Sequence, residues 1–438
     1  MAAFETRESP GPIQRWITEG DKRVDVGFFN PYPVQLAGPV AGLPKDAFNR
    51  LQISEPVTIF DSQSQYDEVP LLFETQLTGG ATETHQANES AVDLTVTTAS
   101  GDKATRQTRQ YFRYQPGKSQ LTLTTFAMGS GQANTVQRVG YFDDENGFYL
   151  KETNGNVSIV KRSNITGSMV ETEVAQTAWN VDPMDGTGPS QMTLDVTRSQ
   201  IFFTTAEWLG TGTVTLGFFI DGYPRAIHKF HHANRSGNTT TYTTTHNLPV
   251  RYEVENTGAA AASLTLKTIC CSVISEGGVE NDRGYPFCAS NGINKVTTST
   301  RRPILSVRPQ ATYNSITNRA QILINTADVL AVSNSAYFEV VYNGTLTGAS
   351  FSAVNASSTA EYDTSATAIS GGIAINAFFV PAGAINRQGP QSGQASLQSK
   401  LPLTLDIDGA NPINVSVVAT AFSATASCVA SLFWNEFR

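Results

Sequence analysis

Short runs in this chain alternate apolar and polar residues, and glycine, asparagine, aspartate and proline punctuate them. Such a period-two pattern places one face of a strand on a core and the other in water. The clearest case is Gly147-Phe148-Tyr149-Leu150-Lys151-Glu152-Thr153, then Asn154-Gly155, then Asn156-Val157-Ser158-Ile159-Val160-Lys161-Arg162. A type I′ turn needs φ > 0 at both central residues, and Asn-Gly meets that with little strain. The flanks are rich in β-branched and aromatic residues, as a half-buried pleated surface prefers. The pattern predicts a β-hairpin.

The same grammar continues along the chain. Ala91–Thr97 alternates, as does most of Gln120–Phe126. Ser199–Leu209 and Thr213–Ile220, joined through Gly210-Thr211-Gly212, predict a long hairpin in which Val214, Leu216, Phe218 and Ile220 share the core face. Asp221-Gly222 turns the chain into another strand at 226–231, the succession a jelly roll produces. After a Thr/Ser-rich stretch at 297–300, Arg301-Arg302-Pro303 marks a boundary. Beyond it, Ala336–Tyr342, Ile373–Val380, Leu403–Ile407, Ile413–Thr420 and Val429–Trp434 are further strands, and residues 384–399 are a polar loop. No long helical periodicity occurs. The expected fold is all-β: an extended, Pro/Gly-rich N-terminal arm (1–50), a lectin-like jelly-roll sandwich (51–295) and a second, smaller β-sandwich (301–438).

Composition narrows the function classes. Charged residues are 16% of the 438, against about 25% in an average soluble protein. The net charge of −8 argues against nucleic acid as a partner. The densest basic cluster, Arg106, Arg109, Arg113 and Lys118, is interleaved with Tyr111, Phe112 and Tyr114, and reads as a half-buried strand with arginines on its wet face. Cys270, Cys271, Cys288 and Cys428 include no C-x-x-C; reduced, buried thiols are expected, with a Cys288 disulfide to one of the adjacent pair as the other option. Met1–Arg7 carries no apolar signal region, and no apolar run is long enough to span a membrane, so synthesis in a cytoplasm is expected. Sequons such as Asn164-Ile165-Thr166 then serve turns rather than glycosylation.

Candidate chemistry is sparse. Gln115-Pro116-Gly117-Lys118-Ser119 ends like a phosphate loop, but Phe112 stands where that motif needs glycine, and a type II turn accounts for the residues. His228, His231, His232 and His246 are four of the five histidines; residues 228 and 231 face opposite sides of a strand, so they read as wet-face or interface side chains rather than metal ligands. Asp143-Asp144-Glu145 and Asp182-Pro183-Met184-Asp185 are acidic turns without the helix-loop-helix calcium pattern. Trp179 and Trp208 read as core rather than as a sugar platform. No nucleophile or zinc-protease signature is present. The expectation is a protein that is not an enzyme, with no catalytic, cofactor or metal residues.

Several stretches resemble a family of virion structural proteins of tailed bacteriophages, of the marine and cyanophage type. They include Phe112–Ser119, Arg138–Asp144, Asp185–Ser190, Glu207–Gly210, Phe219–Gly222, His231–Asn234, Asn247–Glu253, Arg302–Pro309 and Tyr342–Gly348. The resemblance covers most of the chain beyond about residue 50 and transfers no catalytic residue. It implies a building block of the phage particle, made in the host cytoplasm, with copies of itself and other virion proteins as partners and no membrane insertion. A self-associating component of the tail, baseplate or fibre apparatus is the leading reading. Capsid-surface decoration or a vertex role is the alternative, and binding of host surface glycan a third.

Overall fold

A computed structural model describes residues 16–19, 22–25, 55–278, 284–293, 296–382, 385–387 and 401–438. Glu55–Arg438 form one compact unit. Within the stretch expected as an extended arm, Trp16–Glu19 and Lys22–Asp25 pair as an antiparallel ladder; the rest of the arm, and most of the polar loop at 384–399, lie outside the described residues.

The turns form where the residue chemistry places them. Asn154 and Gly155 hold φ of +53° and +84°, and Thr153 pairs with Asn156 across the two-residue loop. Asp221 and Gly222 repeat the device at +54° and +78°. Gly117 sits at φ +89°, and the Lys118 amide donates to the Gln115 carbonyl over 3.1 Å, so the phosphate-loop lookalike is a turn.

Between Val57 and Ser275 the strands build two antiparallel sheets. The first has seven strands in the order Val170–Ala175, Asn156–Ser163, Gly147–Thr153, Thr135–Phe142, Val250–Asn256, Lys103–Thr108, Phe73–Thr78. The second has eight: Tyr223–Phe230, Val214–Ile220, Gln200–Ala206, Gln120–Ala127, Leu264–Ser275, Ala91–Val96 and Thr82–Gln86, with Val57–Gln63 against the far part of Leu264–Ser275. Neighbours in space are often distant in sequence, as Thr135–Phe142 is from Val250–Asn256. The chain steps repeatedly from one sheet to the other, the jelly-roll arrangement. Between the sheets lies one continuous core including Phe112, Phe126, Val139, Leu150, Phe202, Leu216 and Phe218. Val214, Leu216 and Phe218 are fully buried as the alternation predicts, and Ile220 packs half-buried at the rim.

The second pair of sheets begins earlier than the Thr/Ser-rich stretch implies. Tyr285–Ser290 and Val296–Thr298 both pair with the C-terminal strand Ala426–Phe437, beside Gln321–Ala331 and Ile385–Arg387. The chain therefore changes sandwich between Ser275 and Tyr285 rather than at residues 295–301. Facing this five-stranded sheet is a six-stranded one: Ser352–Ala353, Ala360–Asp363, Arg302–Pro309, Val415–Ala421, Ala336–Tyr342, Ile373–Val380. Their core centres on Trp434, Phe338, Leu305 and Val417. Glu436 is wholly buried there, accepting from Ser358 Oγ (2.5 Å), the Thr359 amide (2.8 Å) and Trp434 Nε1 (2.9 Å).

The two sandwiches meet through side chains rather than a linker. Arg319 lies 4.4 Å over the Tyr111 ring, Arg113 lies 4.5 Å over Phe437, and Gln76 Nε2 donates to Asp408 (3.0 Å). Among the described residues one short 3₁₀ turn, Gln176–Ala178, is the only helical element. No helix of the described residues is long and apolar enough to cross a membrane.

Candidate functional site

The densest concentration of ionisable groups lies on the face of the seven-stranded sheet that points away from the main core. Register fixes it. One row across the sheet reads Ser158, Lys151, Arg138, Glu253, Thr105, Gln76; the next reads Val160, Tyr149, Gly140, Arg251, Gln107, Glu74. Alternation therefore turns a set of polar residues from six consecutive strands to one side. Gly140 is needed here, because a Cβ at that position would stand 2.7 Å from the Tyr149 Cα.

Five cations and five anions interlock on this face. Arg138 donates to Glu253 and, over 2.8 Å, to Glu255. Lys103 sits 3.4 Å from Glu253. Arg251 reaches Asp144 (2.5 Å) and Glu253 (3.7 Å) and donates from Nε to Gln107 (2.7 Å). Lys151 holds Glu173 (2.8 Å), and Arg162 holds Glu171 (2.7 Å), which also accepts the Tyr149 hydroxyl (2.5 Å). Arg162 and Arg251 lie over the tilted Phe142–Tyr149 pair, whose centroids are 4.3 Å apart. Arg251 and Glu253 are 1% and 2% exposed.

Electrostatics follow from this pairing. Burial alone would raise the Glu253 carboxyl, but Arg138, Lys103 and Arg251 outweigh it and hold it below its usual range. Burial is likewise overcome at Glu171 by the Tyr149 and Arg162 hydrogen bonds, and at Asp144 by Arg251. Each of these carboxylates is held ionised, the wrong state for a general acid.

Two raised carboxyls lie nearby. Asp143 is raised by burial, yet its Oδ1 accepts the Glu145 and Asn146 amides (2.9 and 2.7 Å) and so closes its own turn. Glu74 is raised first by burial, with Arg109 opposing and Asp406 and Asp408 adding to the rise. Arg109 borders a cleft of about 160 Å³ between the sandwiches, with Leu71, Tyr342, Ile373 and Ile413 on its walls. The guanidinium is committed to Glu74 (3.5 Å) and the Pro70 carbonyl (3.0 Å).

The residues singled out in the sequence disperse. Arg106, expected on a wet face, is 2% exposed and points inward: it bonds Glu83 (2.5 Å) and lies 4.2 Å over Phe73. Its strand alternates so that position 106 shares the core face with Tyr252. His228 and His246, expected on a wet face or interface, are also buried. His228 Nδ1 accepts the Asn180 amide (3.1 Å), which requires a neutral ring. His246 lies among Tyr114, Tyr141, Phe148 and Trp208 with Nδ1 unpartnered, and burial pushes its pKa down to about 3. His231 and His232 remain near the surface, bonded to Thr213 and Thr240. Asp182 Oδ1 and Oδ2 accept the Met184 and Ser190 amides (both 2.9 Å), so that acidic turn also closes on itself. Among the described residues no cluster of three His, Cys, Asp or Glu side chains is placed to hold a metal ion. All four cysteines are unpaired, and burial pushes the Cys271 and Cys428 thiols up to about 12 and 11. Trp179 and Trp208 donate their indole N–H groups to Val174 O (3.1 Å) and Thr243 Oγ1 (2.8 Å) and pack into the first core.

The charge grid itself escaped the sequence reading. Its signal was present as alternating charges in Arg251-Tyr252-Glu253-Val254-Glu255 and Val170-Glu171-Thr172-Glu173, but their partners lie on other strands.

No protein-family model and no curated protein matches the chain. Solved structures similar to about half of it include the carbohydrate recognition domain of Emp47p (13% identity, 54% of this chain and all of that one, TM-score 0.33). A legume lectin-like domain from Entamoeba histolytica (7%, 50% and 97%, 0.30) and an endo-1,3-beta-glucanase from Streptomyces sioyaensis (11%, 50% and 98%, 0.31) are similar to the same extent. At these identities and scores the similarities are too weak to carry a function, and the fold assignment rests on the strand order above.

Proposed function

We propose that the chain is a non-catalytic structural subunit of a tailed-phage particle, in the tail, baseplate or fibre apparatus, acting through contacts with copies of itself and with other particle proteins. The observation that carries the non-catalytic part is the charge grid: the largest set of acid, base and guanidinium groups is spent on its own neighbours. The phage part rests on the sequence resemblance. Two of its stretches, Arg138–Asp144 and Asn247–Glu253, pair as adjacent strands and supply Arg138, Asp144, Arg251 and Glu253 to the grid. That use is structural, as expected of a building block.

The test is the protein content of purified particles. Peptide mass spectrometry after a high-salt wash should find the chain at a fixed, integral ratio to the major particle proteins. Absence from washed particles contradicts the reading, as does glycan hydrolysis by the purified chain.

A further inference from the structure

We infer that the cleft between the two sandwiches binds a small organic anion, a carboxylate carried on an apolar body about the size of a benzene ring. The inference goes beyond the particle role and stands apart from it.

The first sandwich contributes a turn held under strain. Val69 lies at φ +57°, a region that a β-branched residue rarely enters, and the proline after it favours extended backbone at that position. Such strain persists only where the surroundings over-determine it. Three side chains do so here. The Asp67 carboxylate accepts the Val69 amide (2.8 Å), Arg106 donates to the Glu68 carbonyl, and Arg109 Nε donates to the Pro70 carbonyl (3.0 Å). The turn so held sets Leu71, 41% exposed, on one wall of the cleft.

The second sandwich contributes the rest of the lining. Tyr342 and Ile413 are buried there, and Ile373 is 43% exposed. Leu71 and Ile373 thus offer two aliphatic side chains from different sandwiches to one space. Its volume of about 160 Å³ suits a benzene-sized body, which an apolar cavity of about 150 Å³ accepts.

Charge sets the class of ligand. Arg109 is the one charged residue lining the cleft, and no carboxylate lines it. Its Nε is taken by Pro70 and its Nη1 stands 3.5 Å from Glu74, so among the described residues Nη2 has no partner. Glu74 is a poor counter-ion, because burial and the nearby Asp406 and Asp408 disfavour its charge against the pull of Arg109. Asn343 also lines the cleft, exposed, and its side-chain amide makes no hydrogen bond among the described residues. A guanidinium and an amide beside aliphatic walls match a carboxylate on an apolar body.

The test is saturation-transfer NMR of the intact chain at pH 7, with benzoate as the probe. Transfer to the benzoate ring protons should saturate with concentration. Benzamide, the same body without the charge, should bind at least about tenfold more weakly, the weight of one charge-assisted hydrogen bond. Ile373→Glu and, separately, Asn343→Asp bring a carboxylate to the cleft and should each weaken benzoate by about tenfold or more. Both replace exposed side chains, and aspartate tolerates the φ of +53° at position 343, so far-UV circular dichroism should match the wild type. Absence of saturable transfer in the wild type overturns the inference. Equal binding of benzamide overturns the anion, and wild-type binding of benzoate by both variants overturns the cleft. None of these outcomes touches the particle role.

Discussion

Glu253→Ala should lower the free energy of unfolding by about 3–5 kcal/mol, the usual cost of removing one partner from a buried ion pair. The reason lies in what is left behind. Arg138, Lys103 and Arg251 all face this carboxylate, and Arg251 is 1% exposed. With Glu253 gone, Arg251 keeps Asp144, a residue largely open to solvent, and Arg138 keeps Glu255. Neither substitute restores the neutral centre of the grid, and three cations then repel one another across adjacent strands. Urea unfolding of the two proteins at pH 7 measures the difference. Glu255→Ala serves as the control: it lies at the rim, half-buried, and should cost less than half as much. A loss under about 1 kcal/mol for Glu253→Ala would mean that the grid is not structural.

Acidification from pH 6.5 to pH 5 should cost stability through His246 alone, at a slope that rises toward about 1.4 kcal/mol per pH unit. The unfolded chain takes up the imidazole proton near the ordinary value of 6.5, whereas the folded chain does so only near 3. Above pH 6.5 neither state is protonated and nothing is lost. Between 6.5 and 3 only the unfolded state binds the proton, so folding weakens as pH falls. The groups facing His246 are the rings of Tyr114, Tyr141, Phe148 and Trp208, and no carboxylate among them compensates the charge. His228, lowered by burial and by His231, adds in the same direction. The depressed carboxyls Glu253, Glu171 and Asp144 contribute stability that is present above the ordinary carboxylate range and is lost below it. Their loss therefore begins under about pH 4.5 and is separable from that of the histidines. Unfolding titrations at pH 7, 6 and 5 should show the slope, and His246→Phe, which fills the same aromatic pocket, should flatten much of it. An unchanged slope in that variant contradicts the assignment.

The parts of the fold legible in the sequence were those set by local chemistry. Asn154-Gly155 and Asp221-Gly222 dictate their turns because few other residues accept two successive positive φ values. The alternation of Val214, Leu216 and Phe218 gives the buried face directly. Alternation misleads where polarity is inverted. In Gln120–Ala127 the core side carries Gln120, Thr122, Thr124 and Phe126, while Leu121 and Leu123 face outward, half-buried. Two of the inward side chains find a partner: Gln120 donates to the Tyr141 hydroxyl (2.9 Å) and Thr124 to the Phe202 carbonyl (3.4 Å). Arg106 and His246 misled for the same reason. Arg106 is held on the core face by Glu83 and Phe73 of neighbouring strands, and His246 is buried beside Thr135–Phe142, more than a hundred residues away. Charge partners such as Arg138 and Glu253 lie 115 residues apart, and no local pattern announces them. The early entry into the second sandwich was hidden likewise, since Tyr285–Ser290 acquires its place from the chain's last strand.

The charged groups of the grid pair with one another within the chain, and the role proposed for it is one of contacts within a particle. Cryo-electron microscopy of the intact particle, with the chain traced into density, tests that most directly. Ordered copies at symmetric positions of the tail or baseplate, with the charge grid unoccupied by any partner, are the expected result. Density spread over the capsid lattice would transfer the role to decoration of the head. Absence from the particle, or a ligand seated on the grid, would contradict the account.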